Sequence, residues 1–426
     1  MAAAIDSPQT TGSAIPAKQT YIIPLMLVVA LFFGIGFITS LNDVLVPHFK
    51  DLFHLSNVRA LLVQFVFFGA YFIMSMPSGW IIGKTGSKAG IVWALAIIGC
   101  GLLLFLPASI VITYPLFMLA LFVVGSGLAL LQVAINPYIG ALGSAETASS
   151  RLNLAGGFNS LATTIAPRIG AGLIFIAAGA TTAQLAHSVR MPYMVLAGAA
   201  LLMALLTAVV PLPELIGVQS GLESMDGSAW SFRHLRRGAA AIFVYVGAEV
   251  AIGSLMINFL GQPSMGGMSH ERAAHYVSLY WGGAMVGRFI GFGVLRKVSS
   301  ANALKFVTTM AFLMLATAVF GHGPMVMWAI VSCGLFNSVM WPCIFPMAVS
   351  GLGRFTNQGS GILITMVVGG AIIPEIQGIL ADHYGYQRSY IAVLLCYAYL
   401  IYYAVSGHRN VQENTIPAAL PPPEVV

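Results

Sequence analysis

Ionisable side chains set inside long apolar stretches are the residues here whose chemistry most needs explaining. Asp43 follows Asn42 in a run that reaches Pro47, and Glu249 stands midway through an apolar segment, after Tyr245-Val246-Gly247-Ala248. Arg168 and Glu375 occupy matching contexts, Pro167-Arg168-Ile169 and Pro374-Glu375-Ile376. An ionised group in hydrocarbon costs roughly 2.5–3.5 kcal/mol on insertion scales, so each needs a partner or a purpose. Desolvation favours the neutral form of a carboxyl group, which can then take a proton on one side of a membrane and release it on the other. Asp43, Glu249 and Glu375 are therefore the candidates for proton or ion coupling. Asp43, with amide oxygens nearby, would also suit Na⁺.

A second set of polar residues shares these stretches: the amides Asn42, Gln64, Gln132, Asn136, Asn159 and Asn337, and the rings of Trp281, Trp341 and Tyr280. Amides exchange hydrogen bonds with hydroxyl groups, and flat rings lie against the C–H face of a pyranose, which together make a sugar site. Taken singly, each amide serves equally well as glue between helices. Gln132 and Asn136 lie four residues apart and so share one helix face.

Enzyme signatures are missing from the sequence. It has neither a G-x-S-x-G elbow nor a Walker A loop, and His270 and His275 are five apart, off the one-face spacing of H-E-x-x-H. No cofactor and no metal are expected. Cys100, Cys333, Cys343 and Cys396 follow no disulfide or zinc spacing and are expected to be buried thiols. The net charge of +6 comes from scattered Lys and Arg, so nucleic acid is not an expected partner.

The elements that must position these residues follow from composition. The 426 residues are 58% hydrophobic and only 8% charged, against about 25% charge in soluble domains. Apolar segments run over 21–47, 59–82, 89–106, 115–142, 153–178 and 192–210, and again over 238–260, 273–295, 303–320, 325–350, 359–380 and 390–405. An all-α polytopic membrane protein of twelve spans is expected, immersed in lipid. Its halves, 21–210 and 238–405, form six-helix bundles joined by a linker over 211–237, with a disordered arm at 1–20 and a tail at 406–426. Gln132 stands five residues before Pro137 and Asn337 five before Pro342, an echo that points to duplicated halves working about a central site. With both ends in the cytoplasm, Lys84, Lys88, Arg233, Arg236, Arg237, Arg296 and Lys297 fall inside, and few basic residues besides Lys50, Arg59 and Arg190 fall outside. The polar start lacks a cleavable signal, so the first span doubles as the targeting signal to a bacterial inner membrane.

The loop Gly79-x-x-x-Gly83-Lys84-x-Gly86-Ser87-Lys88 resembles the major facilitator signature G-x-x-x-D-R-x-G-R-R, with Gly83 in place of the acid. Gly79, Lys84, Gly86 and Lys88 would then form a cytoplasmic gating loop. More specific are Phe37-Ile38-Thr39-Ser40-Leu41-Asn42-Asp43, Leu131-Gln132-Val133-Ala134-Ile135-Asn136-Pro137-Tyr138 and Tyr280-Trp281-Gly282-Gly283, continuing to Gly287-Arg288-Phe289. These resemble the fucose:proton symporter family, and within it the bacterial glucose/galactose transporter branch. The resemblance implies a major facilitator fold, a monomer, and import of a monosaccharide with a proton by alternating access. It gives Asp43 a role in substrate and proton binding beside Asn42. Where that family's fucose symporter has a glutamate in the fourth span this chain has Gln132, and where it has a neutral glutamine this chain has Glu249, so the second titratable carboxyl is expected in the other half. Gly156 replaces a glutamine expected to touch sugar. The alternatives are a sodium-coupled or uncoupled carrier, a related sugar such as fucose, N-acetylglucosamine or fructose, and a non-transporting sugar sensor.

Overall fold

The computed structural model describes residues 21–55, 57–174, 181–213, 227–265 and 267–409. The expected arm at 1–20, linker residues 214–226 and tail residues 410–426 lie outside the described residues. The helices are α1 (Ile22–Phe53), α2 (Asn57–Leu103), α3 (Phe105–Val111), α4 (Tyr114–Ala141), α5 (Ala148–Ile174), α6 (Thr182–Ser188), α7 (Arg190–Val209), α8 (Arg233–Leu260), α9 (His270–Val294), α10 (Ser300–Phe320), α11 (Pro324–Asn337), α12 (Met340–Val349), α13 (Thr356–Thr365), α14 (Gly369–Tyr384) and α15 (Tyr386–Tyr402).

Among the described residues, nine stretches are long and apolar enough on their own to cross a membrane. One of them, 62–111, contains two spans, because the chain turns at Gly86 (φ 82°, ψ 163°), a conformation that a side chain would strain. The polar residues of α5 and α9 dilute their hydropathy, and these two helices complete the twelve. The basic cluster Arg233, Arg236 and Arg237 forms the first turn of α8 rather than linker. Large apolar side chains such as Phe65, Trp93, Leu205 and Phe306 are exposed around the outside, as lipid-facing positions must be. Cys333, Cys343 and Cys396 are buried as expected, whereas Cys100 is exposed on this outer face.

Packing divides the spans into two groups. In the first half α1 lies on α5, and α2 on α4 and α7; in the second α8 lies on α14 and α15, and α10 on α11 and α15. Between halves the main contacts are α2 with α13 and α5 with α9. Exchanging equivalent spans converts one of these pairs into the other, as a duplicated 6+6 chain requires.

The linker end is marked by Tyr21 N–H bonded to the Leu142 carbonyl (3.2 Å) and Tyr138 Oη bonded to the Pro213 carbonyl (3.2 Å). There the halves are sealed together. Ser149 and Ser300 hydroxyls meet at 2.7 Å, Ser150 donates to the Phe292 carbonyl at 2.6 Å, and Asn153 Nδ2 donates to the Arg288 carbonyl at 2.7 Å. Among the described residues, hydrogen bonds between the halves reach from this end only as far as Thr164 and Met285. The molecule is closed at the linker end.

Deep in the second half, Asn337 ends α11 where the tenth span breaks before α12. It donates to Tyr280 Oη (2.9 Å) and accepts from Tyr397 Oη (2.7 Å), while Tyr280 Oη donates to the Glu249 carbonyl (2.9 Å). All three side chains are fully buried. Asn337→Ala is therefore expected to lower the thermal midpoint in detergent, because each buried hydroxyl left unpaired costs about 1–3 kcal/mol. A midpoint equal to that of the unaltered protein would remove this network from the account.

Candidate functional site

A cavity of about 310 Å³ lies between the halves, above the sealed end. Helical spacing explains its walls. Phe32, Ile35, Gly36 and Thr39 present one face of α1, and Leu152, Gly156, Asn159 and Thr163 one face of α5. Phe68 and Tyr71 come from α2, Gln132 and Asn136 from α4, Tyr245, Val246 and Glu249 from α8, Arg288 from α9, and Trp341 and Pro342 from α12.

The amides are held in place by their own bonds. Gln132 Nε2 donates to Tyr71 Oη at 3.1 Å, and Asn136 Nδ2 donates to the Gln132 carbonyl at 2.7 Å. Asn159 Nδ2 donates to the Phe32 carbonyl at 2.8 Å, where Gly36 leaves room for its carboxamide: a Cβ on Gly36 would come within 2.8 Å of that Nδ2. Trp341 Nε1 crosses between the halves to Asn136 Oδ1 at 3.3 Å, and its ring stacks on Phe345 with centroids 5.7 Å apart. The indole is thus held at the cavity wall by a bond at its Nε1 and by stacking on Phe345.

Glu249 is the buried charge. Its Oε1 lies 3.9 Å from Arg288 Nη2, and Tyr245 sits beside both groups. Neither Glu249 Oε1 nor Tyr245 Oη makes a hydrogen bond of ordinary geometry among the described residues. The Tyr245 hydroxyl lies against the Glu249 carboxyl group and the Arg288 guanidinium, so the three groups form one polar cluster in the cavity wall. Arg288 also reaches the other half, donating from Nη1 to the Gly156 carbonyl at 3.2 Å and to Ser160 Oγ.

The structure therefore gathers Gln132, Asn136, Asn159, Trp341 and Glu249 into one cavity and leaves other candidates apart from it. Asn42 is buried and donates to Gln64 Oε1 at 2.8 Å, and neither amide lines the cavity. Asn337 is consumed by the tyrosine network. Tyr280 is fully buried there, and Trp281, 41% exposed, packs edge-on to Tyr280 and over Gly253. Glu375 is exposed on α14 and does not line the cavity. The side chains of Asp43 and Arg168 lie outside the described residues; the Asp43 backbone is one helical turn beyond Thr39 on α1. Of the loop candidates, Gly86 makes the turn, Lys84 lies over the Trp80 ring at 3.8 Å, Lys88 is half-buried, and Gly79 packs inside α2 against the Asn357 backbone. Sequence reasoning missed Arg288, Tyr71, Tyr245, Thr39 and Thr163. A charge within an apolar span was the available signal for Arg288.

Residues 27–374 match the Major Facilitator Superfamily. The chain is 45% identical to a glucose/galactose transporter of Brucella abortus, over 96% of this chain and 100% of that one. It is 32% identical to the L-fucose-proton symporter of Escherichia coli, over 91% and 93%. A crystal structure of a major facilitator transporter, FucP, in the outward conformation superposes with a TM-score of 0.83 at 31% identity, covering 91% of this chain and 99% of that one. The chain, a membrane-spanning protein, belongs to the major facilitator superfamily, in the family that contains the glucose/galactose transporters and the L-fucose-proton symporters.

Proposed function

We infer that this protein imports a monosaccharide, a hexose of glucose/galactose type, together with a proton by alternating access across a bacterial inner membrane. The observation that carries the reading is one cavity between two bundles, closed at the linker end, that joins three amides and an indole to a buried carboxylate. With the linker and both ends in the cytoplasm, the cavity faces outward. Gln132, Asn136 and Asn159 exchange hydrogen bonds with sugar hydroxyls, and Trp341 lies against a C–H face. A proton from outside neutralises Glu249, and Asp43 on α1 serves as a second site on the entry path. Neutralisation lowers the cost of closing lipid-embedded bundles over the loaded cavity, and the opened linker end then releases sugar and proton. The working unit is a monomer, because each chain holds a whole site.

The test is uptake of labelled glucose, galactose, fucose and N-acetylglucosamine into proteoliposomes under an inward proton gradient, a sodium gradient, or neither. Accumulation of a hexose under the proton gradient alone is expected. Equilibration without accumulation would make the protein a uniporter, and no flux of any sugar would overturn the reading. The indole has its own test. Trp341→Ala is expected to raise the half-saturating sugar concentration about tenfold, equivalent to about 1.4 kcal/mol of binding, with Trp341→Phe in between. Equal values for all three proteins would place the sugar elsewhere.

A further inference from the structure

Arg288 is the one cavity residue that binds charge in its own half and backbone in the other. Its Nη2 faces Glu249 Oε1 at 3.9 Å, and its Nη1 holds the Gly156 carbonyl and Ser160 Oγ of α5. Its own carbonyl accepts from Asn153 Nδ2, a bond of the seal. Gly156 makes this reach feasible. A Cβ there would stand in van der Waals contact with Arg288 Cδ at 3.5 Å, so a long side chain competes with the guanidinium for this space.

We propose that Arg288 is a positioning residue that transmits the charge of Glu249 to the sealed linker end, its guanidinium tying α5 to α9 while the carboxylate is ionised and loosening that tie when the carboxylate takes a proton. The argument is electrostatic and rests on the proton-coupled reading above. While Glu249 is ionised, the half-buried guanidinium has a counter-charge and the α5 acceptors add to its hydrogen bonding. A proton delivered to Glu249 makes it a neutral acid and leaves the cation with dipoles only. A partly desolvated cation without its counter-ion is costly, and fuller hydration as the linker end opens relieves that cost. No other ionisable side chain described at this site takes the place of the carboxylate. Tyr245 on α8, Tyr280 on α9, Cys333 on α11 and Tyr397 on α15 are the remaining titratable groups around it. From α5 the facing groups, Gly156, Asn159 and Ser160, are neutral, and on α14, packed against α8, the acid Glu375 is exposed.

The test uses the full chain in proteoliposomes and compares steady-state accumulation and its pH profile in wild type, Arg288→Lys, Arg288→Gln, Gly156→Gln and the double variant Glu249→Gln/Arg288→Gln. Arg288→Gln and Gly156→Gln are expected to bring the accumulation ratio to about one and to flatten the pH profile of exchange, while exchange itself continues. Arg288→Lys retains part of the accumulation. The double variant exchanges faster than Glu249→Gln alone, because the lone cation is gone. Accumulation and a pH profile unchanged in Arg288→Gln would overturn the proposal and leave proton coupling standing. Wild-type protein that accumulates nothing under a proton gradient would overturn proton coupling and this role with it. Gly156→Gln keeps the arginine and moves it, so it decides the matter if Arg288→Gln does not fold.

Discussion

Glu249→Gln is expected to reduce accumulation of sugar against its gradient to equilibration while exchange of sugar across the membrane continues. One unit of pH is worth about 1.4 kcal/mol per proton, so a two-unit inward gradient supports at most about a hundredfold accumulation in a protein that carries one proton per sugar. The glutamine variant holds the ratio at one whatever gradient is imposed. Glutamine keeps the size and hydrogen-bonding capacity of a protonated glutamate but never ionises, so the variant passes through the loaded steps without a proton to deliver. Arg288, 3.9 Å away in the native protein, then lacks a counter-charge permanently. The expected sign in pH follows directly: exchange by the wild type responds to pH as the carboxyl loads, and exchange by the variant does not. Accumulation at the wild-type ratio in Glu249→Gln would assign coupling to Asp43 alone.

What the sequence made legible, and what it left hidden, follows from how polar residues pair inside a membrane protein. Gln132, Asn136, Asn159, Trp341 and Glu249 stand out as polar or aromatic interruptions of apolar runs, and all five line the cavity. Asn42, Gln64 and Asn337 interrupt such runs in the same way, yet Asn42 is bonded to Gln64 and Asn337 to buried tyrosines. Composition and spacing cannot tell an amide that awaits a ligand from one already bonded to a neighbouring span, because the difference lies in which helices touch. Glu375 shows the same gap within one helix. It lies two residues from Gln377, which puts the two side chains on nearly opposite faces of α14, and Gln377 is the buried one. The twelve apolar segments, by contrast, are visible as runs in the sequence, and so is the interruption at Gly86, although polar residues leave α5 and α9 less apolar than the rest. The break between α11 and α12 has a local cause, since Pro342 lacks the N–H that would bond the Ser338 carbonyl, and the packing of Asn337 against two tyrosines holds it in place. Arg288 was readable by the same rule that selected Asp43. Its partner on the far side, the gap left by Gly156, was not, since a missing side chain has a consequence only once its neighbour is known.

The seal at the linker end offers the second large effect. Where α2 crosses α13, a Cβ on Gly361 would lie 2.6 Å from the Ser75 carbonyl oxygen, and a Cβ on Gly79 would lie 2.6 Å from the Asn357 carbonyl oxygen. Both contacts are with backbone atoms inside helices, so no side chain can rotate aside to make room. Gly361→Val must therefore push the two bundles apart at this end. Overpacking of this kind costs typically 1–3 kcal/mol, and it falls on the state in which these helices touch, since opening the linker end separates them. A penalty of that size moves an equilibrium between two states by roughly five- to more than a hundredfold. The variant is thus expected to rest with the linker end open. A cysteine at Val246, a half-buried residue of the cavity wall, reports the change in a protein whose four native cysteines are replaced by alanine. In the unaltered seal a membrane-impermeant maleimide reaches it from the side opposite the linker, and in Gly361→Val from the linker side. Gly361→Ala should shift the labelling in the same direction by less. Labelling from the original side in both variants would mean that the helices can slide past each other without opening, and the α2–α13 crossing would then not be the barrier that keeps the cavity closed.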